Sequence, residues 1–311
     1  MDCKGFVDEQ VAAIRSAVGD GTAINALSGG VDSSLVTVLG HRALGERLRT
    51  VFVDNGLMRE GEPKQVIDSF AALDIPVERI DAREAFLSAL AGLTDPEEKR
   101  QAITDTFYAK VFGQLVRESG ARFLLHGTIL TDVEETVDGI KRQHNILSQL
   151  GIDPEKEYGY AVLEPLKTLR KDGVRQVCAH LGLPAEMTHR MPFPGPALAT
   201  RIVGEVTAER LDTVRAATAI VEEELADSGA FQYMAVLLND YATGIRNKRR
   251  EFGQIIVVRC VESVDARTAT VTELPWPRLH RVCERIVNEV QGVNRCLYDL
   301  TPKPPATIEY V

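Results

Sequence analysis

Between Leu27 and Ser34 the chain reads LSGGVDSS: two adjacent glycines, hydroxyls on both sides and one carboxylate. Glycine tolerates positive φ and lets a ligand approach the main chain with no Cβ in the way. Where a strand precedes and a helix follows, the amides of the turn and of the first helical turn lack intrahelical acceptors. They also lie at the positive end of the helix dipole. Ser28, Gly29, Gly30, Val31, Asp32, Ser33 and Ser34 then form an anion cradle, and phosphate is the anion it suits best. A bare Gly-Gly between strand and helix is also a common tight turn. The serines on both sides, Asp32 and the position after a first strand favour binding. The stretch is not G-x-x-x-x-G-K-[ST], since no lysine follows the glycines, and it lacks the third glycine of the dinucleotide fingerprint.

The elements that must hold this loop are readable from periodicity. Short β-rich runs at 22–28, 49–54, 76–82, 122–128 and 160–166 alternate with helical patterns at 33–44, 63–74, 95–120 and 170–182. The alternation predicts an α/β fold: a parallel twisted sheet of about five strands flanked by helices, with the loop directly after the first strand. The polar stretch 130–158 reads as a lid over such a site. A proline cluster, MPFPGPAL (191–198), breaks the pattern, and the domain boundary is placed there: 1–190, then 191–311. The later region predicts a small α+β unit, with helices at 207–229 and 278–292 and strands in FQYMAVLL, GQIIVVRCVES, TATVTEL and RCLYDL.

Bulk composition narrows the setting. Of 311 residues 44% are apolar and 26% charged, as in soluble globular proteins, and the net charge of −9 speaks against a nucleic-acid surface. No run approaches the ~20 apolar residues of a membrane span, and MDCKGFVDEQ lacks the basic head and apolar core of a secretory signal. A cytoplasmic protein is expected. The five cysteines are odd in number, scattered and never in C-x-x-C, which fits reduced thiols. The six histidines form no pair at metal-ligand spacing.

The string S-G-G-x-D-S resembles the signature of the ATP pyrophosphatase (PP-loop) superfamily, whose fold is adenine nucleotide alpha-hydrolase-like and whose members cut ATP between its α and β phosphates. The likeness implies ATP and Mg²⁺ here, with the loop around the departing pyrophosphate and Asp32 holding the metal or ordering the loop. A longer likeness joins it. LSGGVDSS, VFVDNGLMR (51–59), FLSALAGLTDPEEKR (86–100), HGTILTDVEET (126–136), VLEPLKTLRKDGVR (162–175), MPFPGPALATRIVGEV (191–206) and KPPATIEYV (303–311) occur in one order. Together they resemble the synthetase part of GMP synthase over nearly the whole chain.

That resemblance implies roles position by position. Ser28 to Ser34 would bind the ATP phosphates, Val53 and Gly127 would lie against adenine and ribose through backbone atoms, and Lys171 would offset phosphate charge. Asp32 and Lys171 would be the catalytic pair. Arg100 and Asp132 would contact substrate or nucleotide. Gly195 in the PFPGPAL turn and Arg201 would border a xanthosine monophosphate (XMP) site, closed by a tail carrying Lys303, Ile308 and Glu309. Each has a plainer alternative: Lys171 and Arg100 as solvated helix residues, Arg201 paired with a surface carboxylate, the prolines as a linker and the tail as an edge strand. Three prolines in TPKPPATIEY suit a stiff loop better than a ladder. His126 reads as a packing residue and His144 as a lid residue.

The chain also departs from the family pattern. Ala197 stands where the family has a second glycine, so any positive φ there would be strained. Gln143-His144-Asn145 replaces a lid His-His-Asn, and Ala85 an arginine, with Arg83 nearby. The first strand near residue 22 leaves no room for an N-terminal glutaminase, and Cys3 is too terminal to serve as its nucleophile. A separate glutamine amidotransferase subunit is therefore expected to deliver ammonia, and the second domain is expected to form a homodimer. The reaction implied is adenylation of XMP with release of pyrophosphate, then displacement of AMP by ammonia to give GMP. Rival readings are an NAD synthetase, a regulator that binds ATP without chemistry, and a tRNA-thiolating enzyme. The last would want a basic face and usually reactive cysteines, which this chain does not offer.

Overall fold

A computed structural model of the chain describes residues 1–137, 160–188, 191, 193–264 and 266–311. The chain forms two compact units. The first takes 1–54, 63–82 and 105–190, and the second takes 55–62, 83–104 and 191–311.

In the first unit α1 (Cys3–Val18) leads into β1 (Ala23–Ala26), then α2 (Val31–Leu44), β2 (Leu48–Asp54), α3 (Glu62–Ala71) and β3 (Glu78–Asp81). The sheet is completed by β4 (Phe123–Leu125) and β5 (Ala161–Leu163), in the order β3-β2-β1-β4-β5 with every registered pair parallel. This is the five-stranded sheet the alternating pattern predicts. The helix at 33–44 begins two residues earlier, inside the glycine motif. It is buried along most of its length from Ser34 onward and packs against α1. Periodicity alone does not reveal α1. Its own signals are Asp2, whose side chain accepts from Gly5 N (2.9 Å), and buried Val7, Ile14 and Val18.

The single helix expected at 95–120 is three segments. Following α4 (Arg83–Leu90), they are α5 (Pro96–Asp105), a π-helical turn (Thr106–Phe112) and α6 (Gly113–Ser119). The amide of Gly113 bonds the carbonyl of Tyr108, five residues back, and a Cβ at 113 would lie 2.6 Å from that oxygen. Stacking of Phe107 on Phe112 (5.7 Å between centroids) accompanies the turn. The glycine permits a bulge that periodicity cannot register. Then come α7 (Leu130–Val137), α8 (Lys171–His180) and α9 (Ala185–Thr188). Most of the expected lid, including Gln143 to Asn145, lies outside the described residues, as does Pro192.

The second unit is α+β, as predicted. A 3₁₀ turn (Ala197–Arg201) precedes α10 (Ala208–Leu225), capped by Thr207. β6 (Gln232–Arg246) and β7 (Arg249–Glu262) form a long antiparallel hairpin, β8 (Thr270–Val271) pairs β7, and β9 (Val293–Tyr298) runs parallel to β7. α11 (Trp276–Glu289) packs on β9 and α10. Met234, Val236, Val257, Val261, Ala269 and Ile308 form one core cluster.

Candidate active site

In the first unit the strand order reverses beside β1, between the β2 side and the β4 side. In open parallel sheets ligands bind outside the carboxyl ends of strands at such a reversal. Two loops leave the sheet there, 27–30 after β1 and 126–129 after β4. Gly29 adopts φ +78°, a conformation that favours glycine. Gly30 caps α2 without a side-chain bond, and Ser34 N closes the first turn on Gly30 O (3.0 Å). The loop is braced from within: Ser33 Oγ accepts from Ser28 N (3.2 Å) and donates to Gly30 O (3.0 Å). Ser28 Oγ meets Ser33 Oγ (2.9 Å) and accepts from Gly30 N (3.3 Å). As the first three residues of α2, Val31, Asp32 and Ser33 have amides with no intrahelical acceptor, the kind of donor an anion cradle would use.

Asp32 and Lys171 meet. Lys171 opens α8, and its Nζ lies 2.5 Å from Asp32 Oδ2. The other carboxylate oxygen, Oδ1, is buried with no partner among the described residues, and so is Ser34 Oγ. Burial, with the Asp32 charge adding to it, pushes the Cys178 thiol up to about 12, so it stays protonated. No group of three or more His, Cys, Asp or Glu among the described residues could hold a metal by itself. One carboxylate beside phosphate oxygens is nevertheless how Mg²⁺ is commonly held, and Oδ1, without a partner among the described residues, fits that use. A Cβ on Gly127 would come within 3.4 Å of the Asp32 and Ser33 backbone, so this glycine lies against the cradle. Val53 lies beyond the last registered β1–β2 pair, Ala26–Val51, so its β1-facing edge extends past that strand. Asp132 Oδ2 accepts from Ile129 N (3.1 Å) and stabilises the start of α7.

Behind the loop lies a buried chain that motif reading missed. Thr50 on β2 donates to Asn25 Oδ1 (2.8 Å), Asn25 Nδ2 donates to Thr37 Oγ1 (2.7 Å), and Thr37 donates to Ser33 O (2.8 Å). Two strands are thereby tied to the loop's own helix. His126, expected to be simple packing, bonds through Nδ1 with Thr128 Oγ1 (2.8 Å), which donates to Glu164 Oε1 (2.6 Å).

The second unit gathers its own cluster. Arg201 is fully buried and forks onto Glu309, with Nε and Nη2 each 3.2 Å from a carboxylate oxygen. Gln232 Nε2 (2.6 Å) and Thr200 Oγ1 (3.3 Å) donate to the same carboxylate. Arg201 is thus not paired with a surface carboxylate, and its Nη1 is buried with no partner among the described residues. The Phe193 ring carries Arg59 Cζ at 3.8 Å and Arg201 Cζ at 4.9 Å from its centroid. Arg59 and Gln232 were not singled out by the sequence reading, although Arg59 ends the quoted VFVDNGLMR.

The remaining residues named from the sequence have these surroundings. Ile308 has a core side chain, and its carbonyl accepts from the buried Arg259 (3.1 Å), which anchors the tail. Lys303 Nζ donates to Ala266 O (2.8 Å), and its backbone makes an isolated bridge with Ala269. Arg100 donates to Glu97 (2.6 Å) and to Val311 O (3.1 Å), holding the chain end. Gly195 is exposed with open space around it and no positive φ, and the left-handed residue of that turn is Ala197, at φ +54°.

Residues 219–310 match the family described as GMP synthase C terminal domain. A curated relative from Archaeoglobus fulgidus, a subunit of glutamine-hydrolyzing GMP synthase, is 50% identical over the full length of both chains. The same subunit from Methanopyrus kandleri and from Pyrococcus furiosus is 47% identical in each case, covering 100% and 98% of this chain and 99% and 96% of their own. The chain belongs to this GMP synthase subunit family. The likeness to these relatives spans both units, while the C-terminal family match takes in Gln232, Lys303, Ile308 and Glu309. A solved NH3-dependent NAD synthetase from Campylobacter jejuni aligns at a TM-score of 0.47 and 18% identity over 61% of this chain and 77% of its own, too slight a likeness to argue from. No helix among the described residues is long and apolar enough to cross a membrane.

Proposed function

We propose that the chain is the synthetase subunit of a GMP synthase: ATP adenylates XMP with release of pyrophosphate, and ammonia then displaces AMP to leave GMP. The observation that carries this reading is the helix start at the glycine turn, whose first amides lack intrahelical acceptors, with Lys171 on Asp32 and a carboxylate oxygen beside it that has no partner among the described residues. The C2 oxygen of XMP attacks the α-phosphorus in line, and negative charge accumulates on the departing pyrophosphate. The loop amides stabilise that charge where it develops, and Lys171 contributes its own. Mg²⁺, held at Asp32, would supply further charge neutralisation when bound. No side-chain nucleophile is needed; catalysis comes from positioning and electrostatics.

The acidic nucleotide is assigned to the second unit, where Arg201 Nη1 has no partner among the described residues and Arg59 stacks on Phe193. Glu309, Gln232 and Thr200 hold Arg201 in place. Ammonia comes from a separate glutaminase subunit, as the relatives' names suggest by calling each of them one subunit of a glutamine-hydrolyzing enzyme. A homodimer through the second unit is supported by the β6–β7 hairpin. Tyr241, Ile245 and Phe252 share one face by register and are 64%, 81% and 74% exposed, an unusual amount of apolar surface for one hairpin.

The test supplies ATP, Mg²⁺, XMP and ammonium salt and measures GMP, AMP and pyrophosphate. Turnover is expected with ammonium. With glutamine the chain alone should be inactive until a glutaminase subunit is added. Pyrophosphate release triggered by a nicotinate dinucleotide and not by XMP would transfer the assignment to an NAD synthetase.

A further inference from the structure

The second unit buries a lysine that the proposed chemistry does not use. Lys99, on α5, is 2% exposed, and its Nζ donates to Ile202 O (2.8 Å) and Gly204 O (3.0 Å). Arg210, near the start of α10, donates to Val203 O (2.8 Å), Glu205 O (2.6 Å) and Leu238 O (2.9 Å). Four consecutive carbonyls, 202 to 205, are thus shared alternately between two cations. The stretch they grip follows Arg201 directly, whose buried Nη1 has no partner among the described residues.

Burial is the main cause that pulls the Lys99 ammonium from 10.5 down to about 8. Among its charged neighbours Arg210 and Arg100 oppose its proton and Asp95 favours it. Charged donors bind carbonyls about twice as strongly as neutral ones, so deprotonation loosens the grip without removing the side chain.

Resting on the assignment of Arg201 to the acidic-nucleotide site, we propose that Lys99 is a positioning residue: with Arg210 it fixes the 202–205 main chain and so the placement of Arg201, and it does this fully only as the ammonium. The linkage gives an unusual signature. Between about pH 8 and 10.5 the unfolded chain holds a proton that folded Lys99 has lost, so this group adds stability as pH rises. Affinity for the acidic nucleotide moves the other way over the same rise. A nucleotide phosphate has already passed its second pKa of about 6, so it does not titrate in this range.

The experiment is equilibrium dialysis of XMP against the whole chain at pH 7 and pH 9, which needs no ammonia. Wild type is expected to weaken about fivefold at pH 9. Lys99→Met should bind weakly and equally at both values, and Lys99→Arg should stay tight at pH 9. A thermal melt series should show wild-type stability gaining on that of Lys99→Met as pH rises past 8. Wild-type affinity in Lys99→Met at pH 7, or the same pH response in it, overturns the proposal. If Lys99→Met does not fold, Lys99→Arg decides alone, and weakening at pH 9 counts against it. Absence of XMP binding by wild type at either pH sinks the site assignment and this proposal with it, whereas tight binding indifferent to residue 99 sinks the proposal only.

Discussion

At the residue scale, the contact between Asp32 and Lys171 joins two partly exposed side chains. Such a pair contributes about 0–1 kcal/mol to stability. Its removal should therefore be felt in chemistry more than in folding. Asp32→Asn and Lys171→Met are each expected to cut XMP-dependent pyrophosphate release about 100-fold with little change in melting temperature. Loss of the fold together with activity would show the pair to be structural. Ala197 is the opposite case. It is buried at φ +54°, where an L-residue costs about 1–2 kcal/mol relative to right-handed geometry, and the sequence warned of strain there because the family carries glycine. Ala197→Gly should raise the urea midpoint, by up to about 1 kcal/mol once glycine's greater chain entropy is set against the relief. A marked loss would mean that the methyl group's packing dominates.

At the scale of elements, the loop is only as precise as what lies behind it. Thr37 joins Asn25 to the Ser33 carbonyl, and Thr37→Val would leave a buried amide donor unpaired, costing about 1–3 kcal/mol. Because Ser33 belongs to the proposed ATP cradle, KM for ATP should rise more than KM for XMP, and equal rises would deny the network a positioning role. The π-turn makes a similar claim about α5 and α6. Gly113→Ala drives a Cβ toward Tyr108 O and should destabilise by about 1–3 kcal/mol, read from the denaturant midpoint. Periodicity could predict one helix there because both flanking segments are helical; the extra residue in the turn depends on a missing side chain.

At the scale of the whole molecule, the exposed apolar face of the β6–β7 hairpin is the surface on which the proposed homodimer is tested. Phe252→Asp, on that face, is expected to convert a dimer to a monomer in light scattering while the chain remains folded. An unchanged mass would move the interface elsewhere. The division of the chain is also a property of the whole. Residues 55–62 and 83–104 belong with everything after Met191, so the second unit is assembled from three stretches. The proline cluster signals a break at one point in sequence and carries no information about which earlier segments return to the later unit.

Residue order alone encodes what short-range physics can express. Alternating apolar periods specify strand and helix, and LSGGVDSS specifies a turn that glycine favours at the start of a helix, the setting proposed for the phosphates. The partnerships came from the folded chain. Lys171 reaches Asp32 across 139 positions, Glu309 reaches Arg201 across 108, and Ile308 packs into a core with residues from the β6–β7 hairpin. Lys99 looks like any helix-surface lysine until its two carbonyls are seen a hundred residues away. Burial and long-range pairing depend on which faces meet when the chain closes, and a residue's type records the capacity for a partner but not the partner.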